Sequence, residues 1–177
     1  NATADAGGDL TLNANAATTN VRGTTSGDGN LTVNAAAATG TVRGDSATGS
    51  VTIDAAAATV LTANSTSGDI SITGSANANV DDVATAGGDV VVNTALADDV
   101  VATTTGTGSV TVTGEGDTAM TVTGRTITVN LQSADAVNNA TVTATGTGAG
   151  VDTDSLTVTS GDDLTIANQA ADVVESI

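Results

Sequence analysis

The sequence predicts an all-β fold, a parallel β-solenoid (β-helix) with coils of about 20 residues. Three observations predict it. A six-residue segment recurs at a near-constant interval. Each copy alternates apolar and polar residues behind a glycine. The chain of 177 residues has no Phe, Tyr or Trp, so its interior must be filled by aliphatic stacks.

The segment reads Gly8-Asp9-Leu10-Thr11-Leu12-Asn13 and returns as Gly29-Asn30-Leu31-Thr32-Val33-Asn34. It continues as Gly49-Ser50-Val51-Thr52-Ile53-Asp54, Gly68-Asp69-Ile70-Ser71-Ile72-Thr73, Gly88-Asp89-Val90-Val91-Val92-Asn93 and Gly108-Ser109-Val110-Thr111-Val112-Thr113. The glycines step by 21, 20, 19, 20 and 20 residues, which marks an internal repeat. Gly with a short polar residue is turn chemistry, and the alternation that follows is the period of a half-buried strand. A unit this short cannot bury its apolar stripe alone; stacking on its neighbours does so. Leu10, Leu31, Val51, Ile70, Val90 and Val110 are expected to form one interior rank. Leu12, Val33, Ile53, Ile72, Val92 and Val112 form the next. A β-sandwich is the competing fold, but it does not require one segment to recur coil after coil.

The rest of each unit is Ala-rich (Ala14 to Ala17, Ala35 to Ala38, Ala55 to Ala58) and then Val-centred, as in Asn20-Val21-Arg22-Gly23 and Thr41-Val42-Arg43-Gly44. Three short strands and three turns per coil are expected, with a narrow interior behind the alanines. The general preference for right-handed parallel crossovers favours a right-handed coil. Residues 1–177 read as one domain, with regular coils over 8–124 and irregular coils or a modified end over 125–177. In that last part Arg125 to Asn130 reads as an early copy, and Leu156 to Thr159 and Asp163 to Ile166 as late ones.

Composition excludes several functions. The formal charge is −17, with 20 acids against Arg22, Arg43 and Arg125. Such a chain repels phosphate backbones and anionic membrane surfaces, so nucleic acid is not an expected partner. No apolar run is long enough for membrane insertion. His, Cys, Lys and Tyr are absent, which removes most general bases and activated nucleophiles. The chain is therefore not expected to be an enzyme. Asp pairs such as Asp81-Asp82, Asp98-Asp99 and Asp162-Asp163 read as turn residues, because neighbours on a strand point to opposite faces.

The repeated Gly-x-[Leu/Val/Ile]-Thr-[Val/Leu/Ile] strands resemble the β-solenoid repeats of filamentous-haemagglutinin-like adhesins of bacteria, over about residues 8 to 130. The Thr/Ala/Gly/Asp-rich, Lys-free composition is also similar to surface-layer proteins. These resemblances imply an extracellular or cell-surface location, with cell-surface glycans as one class of partner. They carry no catalytic residue over.

Candidate sites are few. No organic cofactor is expected. Calcium is the one candidate ion, with oxygen ligands from Asp28 and from Asp81, Asp82, Asp98 and Asp99. Gly27-Asp28-Gly29-Asn30-Leu31 partly matches a calcium-binding solenoid repeat. The acid pairs 17 residues apart would stack one coil on the next; the alternative is a solvated acidic face. Thr11, Thr32, Thr52, Ser71, Val91 and Thr111 form one outward rank, and Asn13, Asn34, Asp54, Thr73, Asn93 and Thr113 another. Arg22 and Arg43 should stack, with Asp45, Asp28 or a neighbouring subunit as counter-charge. Asn30 and Asn64 lie in N-glycosylation sequons, as do Asn1 and Asn139.

The ends suggest assembly. Asn1, Ala2 and Thr3 open a small, flexible stretch with no amphipathic cap. Val173, Val174 and Ile177 are apolar without an evident partner. Such ends, with the Arg22–Arg43 rank, suit a head-to-tail homopolymer. The leading expectation is a structural subunit of an extracellular filament or surface fibre. The alternatives are a spacer or ligand-binding segment of a large adhesin or surface-layer protein, and an ice-binding solenoid built on the Thr rank.

Overall fold

The computed structural model describes residues 2–16, 19–56, 58, 60–74, 79–83, 88–94, 100–104, 108–114, 119–124, 126–131, 140–145, 155–160 and 164–168. It is a parallel β-solenoid whose strands alternate between two sheets.

One sheet has nine strands: β1 (Ala2–Ala6), β3 (Val21–Thr25), β5 (Thr41–Ser46), β7 (Val60–Ser65), β9 (Asn79–Val83), β11 (Val100–Thr103), β13 (Ala119–Thr123), β15 (Ala140–Thr145) and β17 (Leu164–Asn168). The other has eight: β2 (Leu10–Asn13), β4 (Leu31–Asn34), β6 (Val51–Ala55), β8 (Ile70–Gly74), β10 (Val90–Thr94), β12 (Ser109–Gly114), β14 (Thr126–Leu131) and β16 (Ser155–Ser160). Each strand pairs in parallel with its equivalent one coil away.

The repeated segment supplies the eight-stranded sheet. Leu10 pairs with Leu31, Leu31 with Val51, Val51 with Ile70, Ile70 with Val90 and Val90 with Val110. The rank beginning at Leu12 runs beside it to Val112 by the same pairings. Alternation aims both ranks inward: Leu31, Val33, Val51, Ile53, Ile70, Ile72, Val110 and Val112 are buried, and Leu10 and Leu12 pack against them from the first coil. Each fully buried side chain of this kind contributes about 1.5–3 kcal/mol.

The nine-stranded sheet faces it. Val21, Val42, Leu61 and Val100 are buried from that side. Gly23 and Gly44 lie in mid-strand where Leu31 and Val51 reach across. A Cβ on Gly23 would stand 2.7 Å from Leu31 Cδ1, and one on Gly44 2.7 Å from Val51 Cγ1. Absent side chains on one sheet thus make room for long ones on the other, as close packing of an interior demands.

Several expectations need correction. Among the described residues the coil has two strands, not three. In residues 35–40 the Ala-rich stretch is no strand but the arch that carries the chain between sheets. Ala35 and Ala38 are fully buried there, as are Ala55 at the end of β6 and Ala58 beyond it. Residues 2–6 are not a loose leader but strand β1, paired with β3. Asp163 to Ile166 is not another copy of the repeat: β17 belongs to the nine-stranded sheet and pairs with β15. By contrast β14 and β16 do continue the repeat, with Val110 beside Ile127 and Ile127 beside Leu156.

Candidate functional surfaces

A ladder of side chains runs along the turn into the eight-stranded sheet. The residue after each repeat glycine accepts the backbone N–H of its equivalent one coil on. Asn30 N donates to Asp9 Oδ1 at 2.7 Å, Ser50 N to Asn30 Oδ1 at 2.9 Å and Asp69 N to Ser50 Oγ at 3.2 Å. Asp89 N then donates to Asp69 Oδ1 at 2.9 Å and Ser109 N to Asp89 Oδ1 at 2.8 Å. The choice among Asp, Asn and Ser at this place follows, since each offers a short acceptor oxygen. The signal was present in the repeat as "Gly plus a short polar residue", which reads equally well as ordinary turn chemistry.

A second, buried rank of hydroxyls seals the same turn. Thr25, Ser46 and Ser65 close successive strands of the nine-stranded sheet. Thr25 Oγ1 and Ser46 Oγ donate to the Gly29 carbonyl at 3.0 and 3.1 Å, and Ser65 Oγ to that of Gly49 at 2.7 Å. Thr104 Oγ1 does the same for Gly88 at 3.0 Å. Carbonyls folded into the interior are thereby satisfied.

Arg22 and Arg43 are register neighbours on β3 and β5. Asp45 lies between their guanidinium groups: Arg43 Nε donates to its Oδ2 at 2.7 Å and Arg22 Nη2 to the same oxygen at 3.2 Å. Asn64 Nδ2, one coil on, holds Oδ1 at 2.8 Å. Burial by itself raises the Asp45 pKa, but the hydrogen bonds from Arg43 and Asn64 and the two Arg charges outweigh it and hold the carboxyl below its ordinary value. Asp45 was one of the counter-charges expected from sequence. Asn64 was not. In the adjacent position of the rank, Thr24 Oγ1 is buried without a hydrogen-bond partner.

The candidate calcium ligands are placed as follows. Asp28 is exposed in the turn before β4. Asp81 and Asp82 are not turn residues; they lie inside β9. There the pairing passes from Leu61–Val80 to Ala63–Val83, so both acids stand opposite the single residue Thr62. This is a β-bulge. On the other side β9 pairs Val80 with Val100 and Val83 with Ala102, which puts Val101 opposite the two acids. The neighbours of Asp81 and Asp82 in the rank are thus Thr62 and Val101, not a second acid pair. Asp98 and Asp99 lie outside the described residues. Among the described residues no group of three or more acidic side chains comes together.

The outward ranks run in register from Thr11 to Thr111 and from Asn13 to Thr113. Asn34 Nδ2 donates to Asn13 Oδ1 at 2.7 Å, so these two amides stack on this face. Val91 interrupts the hydroxyl rank and is exposed.

Of the terminal residues, Ala2 pairs with Val21 and Thr3 with Arg22. Asn1, Val173, Val174 and Ile177 lie outside the described residues. Among the described strands, four pair on one side only: β1 and β2 at one end of the stack, β17 and β16 at the other.

No family model, no curated protein and no solved structure matches the chain. Its surfaces are therefore interpreted from their own geometry.

Proposed function

We propose that this chain is a structural subunit of an extracellular filament or surface fibre, and that it associates with itself end to end. The observation that carries the reading is that, among the described strands, each end of the stack has an unpaired edge, β1 and β2 at one and β16 and β17 at the other. Every internal coil is held to its neighbours by the same parallel pairing. An added coil or another subunit would meet the same donors, acceptors and apolar ranks. The net charge of −17 and the adhesin-like repeat support a location outside the cell.

The same edges favour a second reading, a spacer in a longer surface protein whose own coils continue the stack. Electron microscopy of the purified chain, with and without calcium, separates the two. The filament reading expects long uniform threads whose axial repeat is the length of one stacked chain. Short isolated rods under all conditions would sink it and leave the spacer.

A further inference from the structure

Resting on the end-to-end reading, we infer that copies join by strand exchange: β17 of one copy takes the place that β1 holds in the next. The strands alternate between sheets, starting with β1 in the nine-stranded sheet and finishing with β17 in that same sheet. Among the described strands, the eight-stranded sheet runs from β2 to β16. The two ends of the described stack are therefore half a coil out of phase.

Suppose the second copy docks intact, with its β1 beside β17. Its β2 then falls two places beyond β16, and one place in the eight-stranded sheet stays empty. Two open backbone edges would face each other across that gap, which native structures avoid. Suppose instead that β2 of the second copy pairs directly with β16. Both sheets then continue without a gap, provided that β17 occupies the place of β1 beside β3. One of the two strands must leave.

β1 is the weaker. It reads Ala-Thr-Ala-Asp-Ala, and Ala and Asp are depleted in strands. β17 reads Leu-Thr-Ile-Ala-Asn. The register fixes what is exchanged. Ala2, Val21, Val42 and Leu61 share a rank that continues through Val142 to Ile166. In the joint, Ile166 stands beside Val21 in place of Ala2, and Ala167 beside Arg22 in place of Thr3. In the other sheet Leu156 comes beside Leu10 and Val158 beside Leu12. Ser155, at the register position of the side-chain ladder, comes beside Asp9. In a lone subunit β1 covers the edge of β3 and restrains growth; a second copy supplies the better strand.

The chain contains no cysteine, so introduced pairs report cleanly. Register neighbours on paired strands lie about 4.8 Å apart, within the roughly 4.4–6.8 Å that a disulfide spans. Oxidation of filaments carrying Arg22→Cys with Ala167→Cys should link copies into covalent multimers, whereas Thr3→Cys with Ala167→Cys should not. The reverse pattern, or filaments in which neither pair links, overturns the exchange while the filament reading stands. No filaments and no links removes both. A chain lacking residues 1–6 gives a second measure that leaves Arg22 intact. It should polymerise with a lag severalfold shorter than the full chain, and abolished growth would overturn the inference.

Discussion

The backbone N–H of Asn30 donates to Asp9 Oδ1 at 2.7 Å across 21 positions of sequence. This bond is the first rung of a ladder that fastens successive turns of the solenoid independently of the sheets. Because each rung joins a side chain to a backbone, the ladder has a direction. Every acceptor belongs to the earlier coil and every donor to the later one.

Asp89 tests the ladder. It accepts the Ser109 backbone N–H at 2.8 Å and the Ser109 hydroxyl at 3.0 Å. Asp89→Ala should lower the free energy of unfolding by about 1–2 kcal/mol, and Asp89→Asn, which keeps Oδ1, by less than half of that. Urea denaturation followed by circular dichroism reads the difference. Equal losses in the two variants would show that the charge matters and the acceptor does not.

The stacked turn glycines make a sharper contrast. A Cβ on Gly49 would lie 2.1 Å from the Gly29 carbonyl oxygen, and backbone cannot yield as a side-chain end does. Gly49→Ala should cost about 3 kcal/mol or more, at or beyond the upper end of overpacking losses. A Cβ on Gly8 meets nothing within 4 Å, so Gly8→Ala should stay within about 0.5 kcal/mol of the parent. Calorimetric melting of the pair gives the comparison; similar melting temperatures would contradict the close stacking.

Asp45 predicts a pH dependence. Its folded pKa lies below the ordinary value, because hydrogen bonds from Arg43 and Asn64 and the charges of Arg43 and Arg22 outweigh burial. The stability it adds is complete above the unfolded pKa of about 4 and is lost as pH falls through the depressed folded value. Denaturation midpoints should therefore decline in acid, and Asp45→Asn should decline less over that window. Parallel profiles for the two proteins would refute the assignment. The ion pairs face solvent, so added salt should shrink the effect.

Thr24 offers a stabilising change. Its Oγ1 is buried without a partner, while the equivalent places on either side are taken by Asp5 and Asp45. Thr24→Val keeps shape and strand preference and removes the unsatisfied hydroxyl. Unfolding free energy should be unchanged or rise by up to about 1 kcal/mol. A loss above that size in urea titration would mean that the hydroxyl has a partner in solution.

Much of this architecture was legible in the chain. The recurrence from Leu10 to Val110 fixes which residues share a rank, because in-register stacking is the arrangement that buries the same apolar stripe in every coil. The neighbourhood of Arg22 and Arg43 follows from their spacing for the same reason. The bulge at Asp81 and Asp82 was not legible. Alternation breaks there by one residue, and nothing local distinguishes a bulge from a turn.

By itself, then, the sequence determined the period, the strand that repeats and the inward residues of that strand, since all three depend on local alternation and spacing. Only the tertiary structure decided the shape of the coil. Ala35 and Ala38 look as suited to a third strand as to the buried arch that they form between the two sheets. Gly23 looks like the turn glycine Gly29. It lies in mid-strand because Leu31 of the facing sheet needs the space that a Cβ would fill. Such contacts join residues that repeat with the same period but on different sheets, and their complementarity exists only once the sheets meet.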